Sequence, residues 1–264
     1  MAKKFIYPDP NMYDSGAVRG GAITGGDTKT WVENSSAISN VDRVADQNIG
    51  SVISNVAQYD TIRIDMGSGF SCDAIAFYHT AAEDNDLEIY ASNSASTFET
   101  NDPGNDDHIA SITADFTADI WQVTDITITS KRYVYIYNGT AAEWDYCSEI
   151  MVGTAYTFGQ SFDLGNKQGK IHGVDVVESY GGYEFANKRH EGKKTWDFKF
   201  SSISSSMKTS LESLRDAVDG DHLKFIYYDG TNYHWVRADG GSFQFSESAY
   251  QVYDTNVKLR QQIG

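Results

Sequence analysis

The sequence predicts a mainly β protein of two domains, a β-sandwich over residues 1–155 and a second β-sandwich with one packed α-helix over residues 156–264. Three observations predict it. Short runs of alternating apolar and polar residues recur along the chain between Gly-, Asn-, Asp- and Ser-rich spacers. One stretch alone carries a clear helical stripe: Met207, Leu211, Leu214 and Val218. The charge is divided unevenly: residues 1–155 hold 8 basic and 23 acidic side chains, residues 156–264 hold 13 and 14. The boundary is expected within residues 153–159, where Gly and Thr follow the last strand of the first half.

In the first half, residues 61–66 alternate, residues 73–78 follow a Gly-Ser-Gly turn, and residues 87–91 alternate again. Residues 121–123, 126–128 and 133–137 continue the series as three further short strands, and residues 148–153 close it. Gly16 to Gly26 is glycine-rich without a clear strand and is expected to be a flexible connection. In order, the phrases Ile-Arg-Ile-Asp-Met-Gly (62–67), Leu-Glu-Ile-Tyr-Ala-Ser-Asn (87–93), Arg-Tyr-Val-Tyr-Ile (132–136) and Ser-Glu-Ile-Met-Val-Gly (148–153) resemble the discoidin-like, galactose-binding-like jelly rolls over residues 31–153. That resemblance implies a sandwich whose loops at one end bind sugars or lipid head groups, in some members with a structural calcium. It carries over no ligand residue by motif.

In the second half, residues 194–200 place Trp196, Phe198 and Phe200 on one face of a strand. Ser204 is positioned to cap the helix, and Asp219-Gly220 stops it. Residues 223–228 and 233–237 flank Asp229-Gly230-Thr231-Asn232, which favours a hairpin turn. Tyr253, Thr255, Val257 and Leu259 share the face of a last strand. Carried by Trp196, Phe198, Phe200, Leu211, Leu214, Gly220, Phe225, Trp235, Val257 and Leu259, this order resembles the β-sandwich-plus-helix domain of long-tailed phage minor and distal tail proteins over about the last hundred residues. The resemblance implies assembly as homo-oligomeric rings with other tail proteins, a virion location after synthesis in the host cytoplasm, and no catalytic residue.

Composition bounds the function. A formal net charge of −16 argues against general nucleic-acid binding, which depends on Lys and Arg neutralising phosphates. No apolar run approaches the ~18 residues of a membrane span, and the basic start lacks the apolar core of a signal peptide. Two cysteines, Cys72 and Cys147, fall in the same half and are expected as buried thiols or a disulfide. The six histidines show no metal spacing. No Gly-x-Ser-x-Gly elbow, phosphate loop or His-Glu-x-x-His helix is present, so no enzyme is expected.

The candidate site residues are accordingly few. Asp106 and Asp107, in an Asp- and Asn-rich stretch with Asp84 and Asp86 upstream, offer hard oxygen ligands to calcium, although a solvated turn uses the same residues. Trp144 and Tyr146, with Gly139 nearby, offer an aromatic platform to a sugar ring or a packed edge. Residues 173–194 read as a strand followed by a mixed loop. There Tyr180, Tyr183 and Phe185, with the cations Lys188, Arg189, Lys193 and Lys194, form a candidate subunit interface. The resulting expectation is a structural protein of a phage tail tip or baseplate that displays its first domain outward, with a host surface glycan as a further partner. The alternative is a non-viral carbohydrate-binding module protein.

Overall fold

The computed structural model describes residues 3–13, 16–24, 30–33, 37–95, 106–159, 163 and 166–262, without the side chains of residues 24, 30, 106, 107, 113–115 and 190. One compact unit spans Phe5–Tyr156 and the other spans Thr157–Ile263 together with the first four residues.

The first unit is built from β1 (Lys4–Pro8), β2 (Val18–Thr24), β3 (Thr30–Glu33), β4 (Asp60–His79), β5 (Glu83–Ser92), β6 (Asp106–Phe116), β7 (Ile120–Asn138) and β8 (Cys147–Thr157). Single 3-10 turns lie at Pro10–Tyr13 and Val41–Ala45. The expectation of a turn at residues 67–69 is corrected: β4 runs straight through it. So does β7 through the gaps between its three expected strands. The reason is a shared bend. Gly67 takes a φ of 72°, its N–H donates to Asp65 Oδ1 at 2.8 Å, and the β4–β7 register slips between Asp65 and Ala74. Bulges of this kind let a ribbon turn a corner without ending. Before the bend, Asp60–Ile64 pair with β2 and Thr61–Asp65 with Tyr137–Tyr133 of β7; after it, Ala74–His79 pair with β8 and with Asp125–Ile120.

The bent ribbon therefore serves two layers. One runs β6-β5-β7-β4-β2-β3 and the other β7-β4-β8-β1. Ile62, Ile64, Leu87, Ile89, Val134 and Ile136 of the first layer share one core with Ile75, Phe77, Ile150 and Val152 of the second. Cys72 and Cys147 are free thiols in that core. Burial pushes the Cys72 thiol up to about 12 and that of Cys147 well above its ordinary value, which makes both poor nucleophiles at neutral pH. The stretch expected as a flexible connection is largely β2, whose Gly21–Thr24 pair with β3.

The second unit contains β9 (Lys167–Glu178), β10 (Glu184–Ser204), α1 (Ser205–Ala217), β11 (Phe225–Tyr228), β12 (Tyr233–Ala238), β13 (Gln244–Ala249) and β14 (Val252–Gln261), with sheet order β11-β12-β14-β10-β9 and β13 added on β14. Trp196, Phe198 and Phe200 of β10 are buried, as are Thr255, Val257 and Leu259 of β14. Ser204 caps α1 by accepting the Met207 N–H at 3.3 Å, and Met207, Leu211, Leu214 and Val218 are buried where the helix packs on β10 and β14. The β11–β12 hairpin pairs Tyr228 with Tyr233, and Asp229 Oδ1 accepts the N–H groups of Thr231 and Asn232 at 2.8 Å each.

The mixed loop expected after residue 177 is corrected. Residues 184–188 of β10 pair with 178–174 of β9, closed by a turn in which Ser179 N–H donates to Tyr183 O at 2.8 Å. The distal parts of β9 and β10 form an exposed two-stranded arm. Both of its faces meet solvent, so its sequence lacks the alternation that marks a half-buried strand.

Candidate functional site

Alternation along the first layer puts Ile and Val inside and a row of rings and charges outside. Tyr133, Tyr135 and Tyr137 of β7 interleave with Val134 and Ile136; Glu88 and Tyr90 of β5 interleave with Leu87 and Ile89; Arg63 of β4 lies between Ile62 and Ile64. One end of this outward face is closed. Trp31, Tyr90, Tyr133, Tyr135 and Tyr137 are buried together, so that of the Tyr59 and Tyr137 rings only Tyr59 meets solvent, and the Arg63 guanidinium lies 4.9 Å from the Trp31 ring centre and 5.7 Å from that of Tyr133. Arg63 Nη1 donates to Ala95 O at 2.8 Å and the Tyr135 hydroxyl to Ser94 O at 2.6 Å. Arg132 grips Asp65 with two bonds of 2.8 and 2.9 Å, which holds that carboxyl below its usual range.

The other end is open. Tyr59, 53% exposed, stacks on Tyr137 with ring centres 6.2 Å apart and planes at 30°. Its position is fixed by the backbone: φ is 72°, and its N–H donates to Asn138 O at 3.0 Å. Beside the rings, Glu88 Oε2 accepts from His108 Nε2 at 2.6 Å and from Ser111 Oγ at 2.7 Å. Gly139 forms a floor without a side chain. A Cβ placed there would lie 3.4 Å from Asp86 O, 3.8 Å from the Tyr137 ring and 4.0 Å from Glu88 Cγ. Burial, then the neighbouring Tyr59 and Glu88, raise the Tyr137 phenol above its ordinary value. An aromatic face beside a carboxylate, an imidazole and a hydroxyl is suited to a sugar, whose C–H face lies on a ring while its hydroxyls reach polar groups.

Ser111, His108 and Glu88 do not form a nucleophilic relay. In such a relay the hydroxyl and the carboxylate address opposite imidazole nitrogens. Here Ser111 Oγ lies 3.2 Å from the same Nε2 that Glu88 holds.

Trp144, expected as a stacking residue, is corrected: it is fully buried. Its indole N–H donates to His79 Nε2 at 2.9 Å, and its ring meets Phe77 edge-on at 6.1 Å. With its Nε2 occupied by that donor and the ring stacked 3.8 Å from Phe116, His79 is driven by burial down to about 3 and stays neutral. Its 3.8 Å approach to Glu83 Oε2 is therefore no ion pair. Burial raises Glu83 to about 7 against the opposing effect of the Asp145 N–H, which donates to Oε1 at 2.6 Å. Tyr146 is 48% exposed but has no second ring beside it among the described residues.

The grouping of Asp106 and Asp107 with Asp84 and Asp86 is also corrected. Asp84 pairs with Asp115 and Asp86 with Thr113, whereas Asp106 and Asp107 pair with Ser92 and Ala91. The two groups sit at opposite ends of the β5–β6 hairpin, on the order of 25 Å apart at the strand rise. The side chains of Asp106 and Asp107 lie outside the described residues. Among the described residues no three His, Cys, Asp or Glu side chains converge as a metal site, and no helix is long and apolar enough to cross a membrane.

The candidate interface residues all lie on the arm. Tyr180, Tyr183 and Phe185 are exposed, together with Ile171, Val174, Val176 and Val177. The basic patch is partly answered within the arm, by Arg189 on Asp175 and Lys188 on Glu191, while Lys193 pairs in register with Ile171 and Lys194 with Lys170. Two adjoining grooves of the second unit, about 590 and 310 Å³, run past Lys167, Asp197, Lys199 and Lys258. They alternate in charge, and their rings are Phe245 and the buried Trp196.

Sequence reasoning missed Tyr59, Glu88, His108 and Ser111. The Tyr133-x-Tyr135-x-Tyr137 alternation was a usable signal for an aromatic outward face, but Tyr59 joins it only through the pairing of β4 with β7.

The chain matches no protein-family model and no curated protein. Among solved structures it is similar to a chitosan-binding module of a Paenibacillus sp. IK-5 chitosanase/glucanase, at 16% identity over 55% of this chain and 98% of that one, with a TM-score of 0.37. It is similar to the CBM32 of AlyQ in complex with 4,5-unsaturated mannuronic acid, at 18% identity, 53% and 95% coverage and a TM-score of 0.37. A Streptococcus pneumoniae fucose binding module matches at 10% identity, 56% and 95% coverage and a TM-score of 0.38. At such identities none of their ligands transfers to this chain by position.

Proposed function

We propose that the chain is a carbohydrate-binding protein whose Phe5–Tyr156 unit holds a sugar on the face made by Tyr59, Tyr137, Glu88, His108 and Gly139. The observation that carries this is the half-exposed Tyr59 ring, stacked on Tyr137 and set beside a carboxylate that already orders an imidazole and a hydroxyl. The role is binding without turnover, in keeping with the single shared nitrogen of His108. Calorimetric titration of the full chain with a panel of short oligosaccharides tests it. Tyr59→Ala should weaken the best binder at least about tenfold, the scale of one lost stacking contact. Gly139→Val should block it, since the new side chain fills the floor while its Cβ meets only ordinary contacts. Affinity unchanged in both variants would refute the site.

A second reading rests on the arm. A single two-stranded ribbon is marginal in water, and contiguous exposed apolar side chains mark interaction surfaces. The exposed Ile171, Val174, Val176, Val177, Tyr180, Tyr183 and Phe185 support an assembly role, of which a structural part of a phage tail, as the C-terminal element order suggests, is one form. Light scattering on the full chain should then give a discrete oligomer that Val176→Asp and Val177→Asp dissociate. A strictly monomeric wild type at high concentration would count against it.

A further inference from the structure

We infer that the sugar on the Tyr59 face is an amino sugar with a free ammonium group, not an acidic glycan. The inference rests on the carbohydrate-binding reading and adds the charge of the ligand.

It follows from the strand that walls the site. Along β5, Asn85, Leu87 and Ile89 are buried, so Asp84, Asp86 and Glu88 point outward in a row at two-residue spacing. The row ends at the ring pair: Gly139 N–H donates to Asp86 O at 3.0 Å, and Gly139 lies between Tyr137 and Glu88. A row of acids alone would mark no site. Here it borders the half-exposed Tyr59 ring and Gly139, a position with no side chain to block a pyranose.

The arginines of the same face and the His108 ring already have partners. Arg63 lies by Trp31 and Tyr133, Arg132 grips Asp65, Arg19 lies 3.3 Å from Glu33, and His108 is held by Glu88. The surrounding half of the chain carries 23 acids against 8 bases. An approaching uronate would meet the like charges of Asp84, Asp86 and Glu88, whereas an ammonium group can donate charge-assisted hydrogen bonds to Asp86 and to Glu88.

The test is calorimetry of the full chain with four probes: the β-1,4-linked trimers of glucosamine, N-acetylglucosamine and mannuronate, and trilysine. At low salt the glucosamine trimer should bind at least about tenfold more tightly than its N-acetylated form, and the mannuronate trimer most weakly of the three sugars. Raising the salt should shrink the first difference severalfold. Trilysine, with equal charge and no sugar ring, should bind at least about tenfold more weakly than the glucosamine trimer. The Asp84→Asn, Asp86→Asn double variant should bring the glucosamine and N-acetylglucosamine affinities within about threefold. Equal affinity for the two trimers in the wild type, tighter binding of mannuronate, or trilysine binding as well as glucosamine would each overturn the inference. Binding of N-acetylglucosamine or another neutral oligosaccharide without amine preference would leave the carbohydrate reading standing. If neither these trimers nor any sugar of the panel binds, both fall.

Discussion

At the scale of residues, Trp144 and Tyr59 divide by burial. Both are aromatic and sit near turn residues, yet Trp144 is sealed in the core and bonded to His79 while Tyr59 is half out of it. Trp144→Ala should therefore cost about 3–5 kcal/mol of stability, measured by urea unfolding, and leave the sugar affinity of the folded protein unchanged. Glu83 gives a second residue-scale prediction. Its folded pKa, raised from 4.5 to about 7, means that the protonated form stabilises the fold fully below pH 4.5 and that this contribution is lost as pH rises through 7. His79, lowered from 6.5 to about 3, acts in the other direction: its contribution is full above pH 6.5 and lost as pH falls toward 3. Glu83→Gln removes only the first effect. The stability of this variant relative to wild type should rise between pH 4.5 and 8, by on the order of 3 kcal/mol. A difference that stays flat across that range would show that Glu83 is not protonated in the folded protein at low pH. None of this was legible in the sequence, because which face Trp144 turns to depends on Val56 pairing with it across nearly ninety residues of chain.

At the scale of elements, legibility followed one-sided burial. The strand bearing Trp196, Phe198 and Phe200, the capped helix and the β11–β12 hairpin each bury one face, so their periods could be read directly. Replacing the cap, Ser204→Ala, should cost about 1 kcal/mol by thermal or urea unfolding. Two kinds of element escaped. The bent β4 and β7 looked like five short strands because the bend uses Gly and Ser, the same residues that end strands. The arm looked like a loop because its apolar residues fall on both faces: Val177 opposite Phe185 on one, Val176 opposite Ala186 on the other. That pattern has an assembly consequence. A partner that covers only one face would be sensitive to Val176→Asp or to Val177→Asp but not to both, so sensitivity to each in light scattering is expected only if the arm is enclosed from two sides.

At the scale of the whole molecule, the clearest division is one of charge and of task. The acidic half carries the two-layered sandwich and the Tyr59 face; the nearly neutral half carries the helix-backed sheet and the arm. The fold class could be read from strand spacing, whereas the site could not, since it is assembled from β5, β6 and β7 with the residue that precedes β4 and the one that follows β7. The most direct measurement of the Tyr59 face is chemical-shift mapping on the isotope-labelled full chain, titrated with the oligosaccharide that binds best. Shifts should concentrate at Tyr59, Glu88, His108, Tyr137 and Gly139. Shifts centred instead on Tyr146 or on the groove of Lys167, Asp197 and Lys199 would contradict the site, and the absence of any shift with every sugar tried would contradict the function.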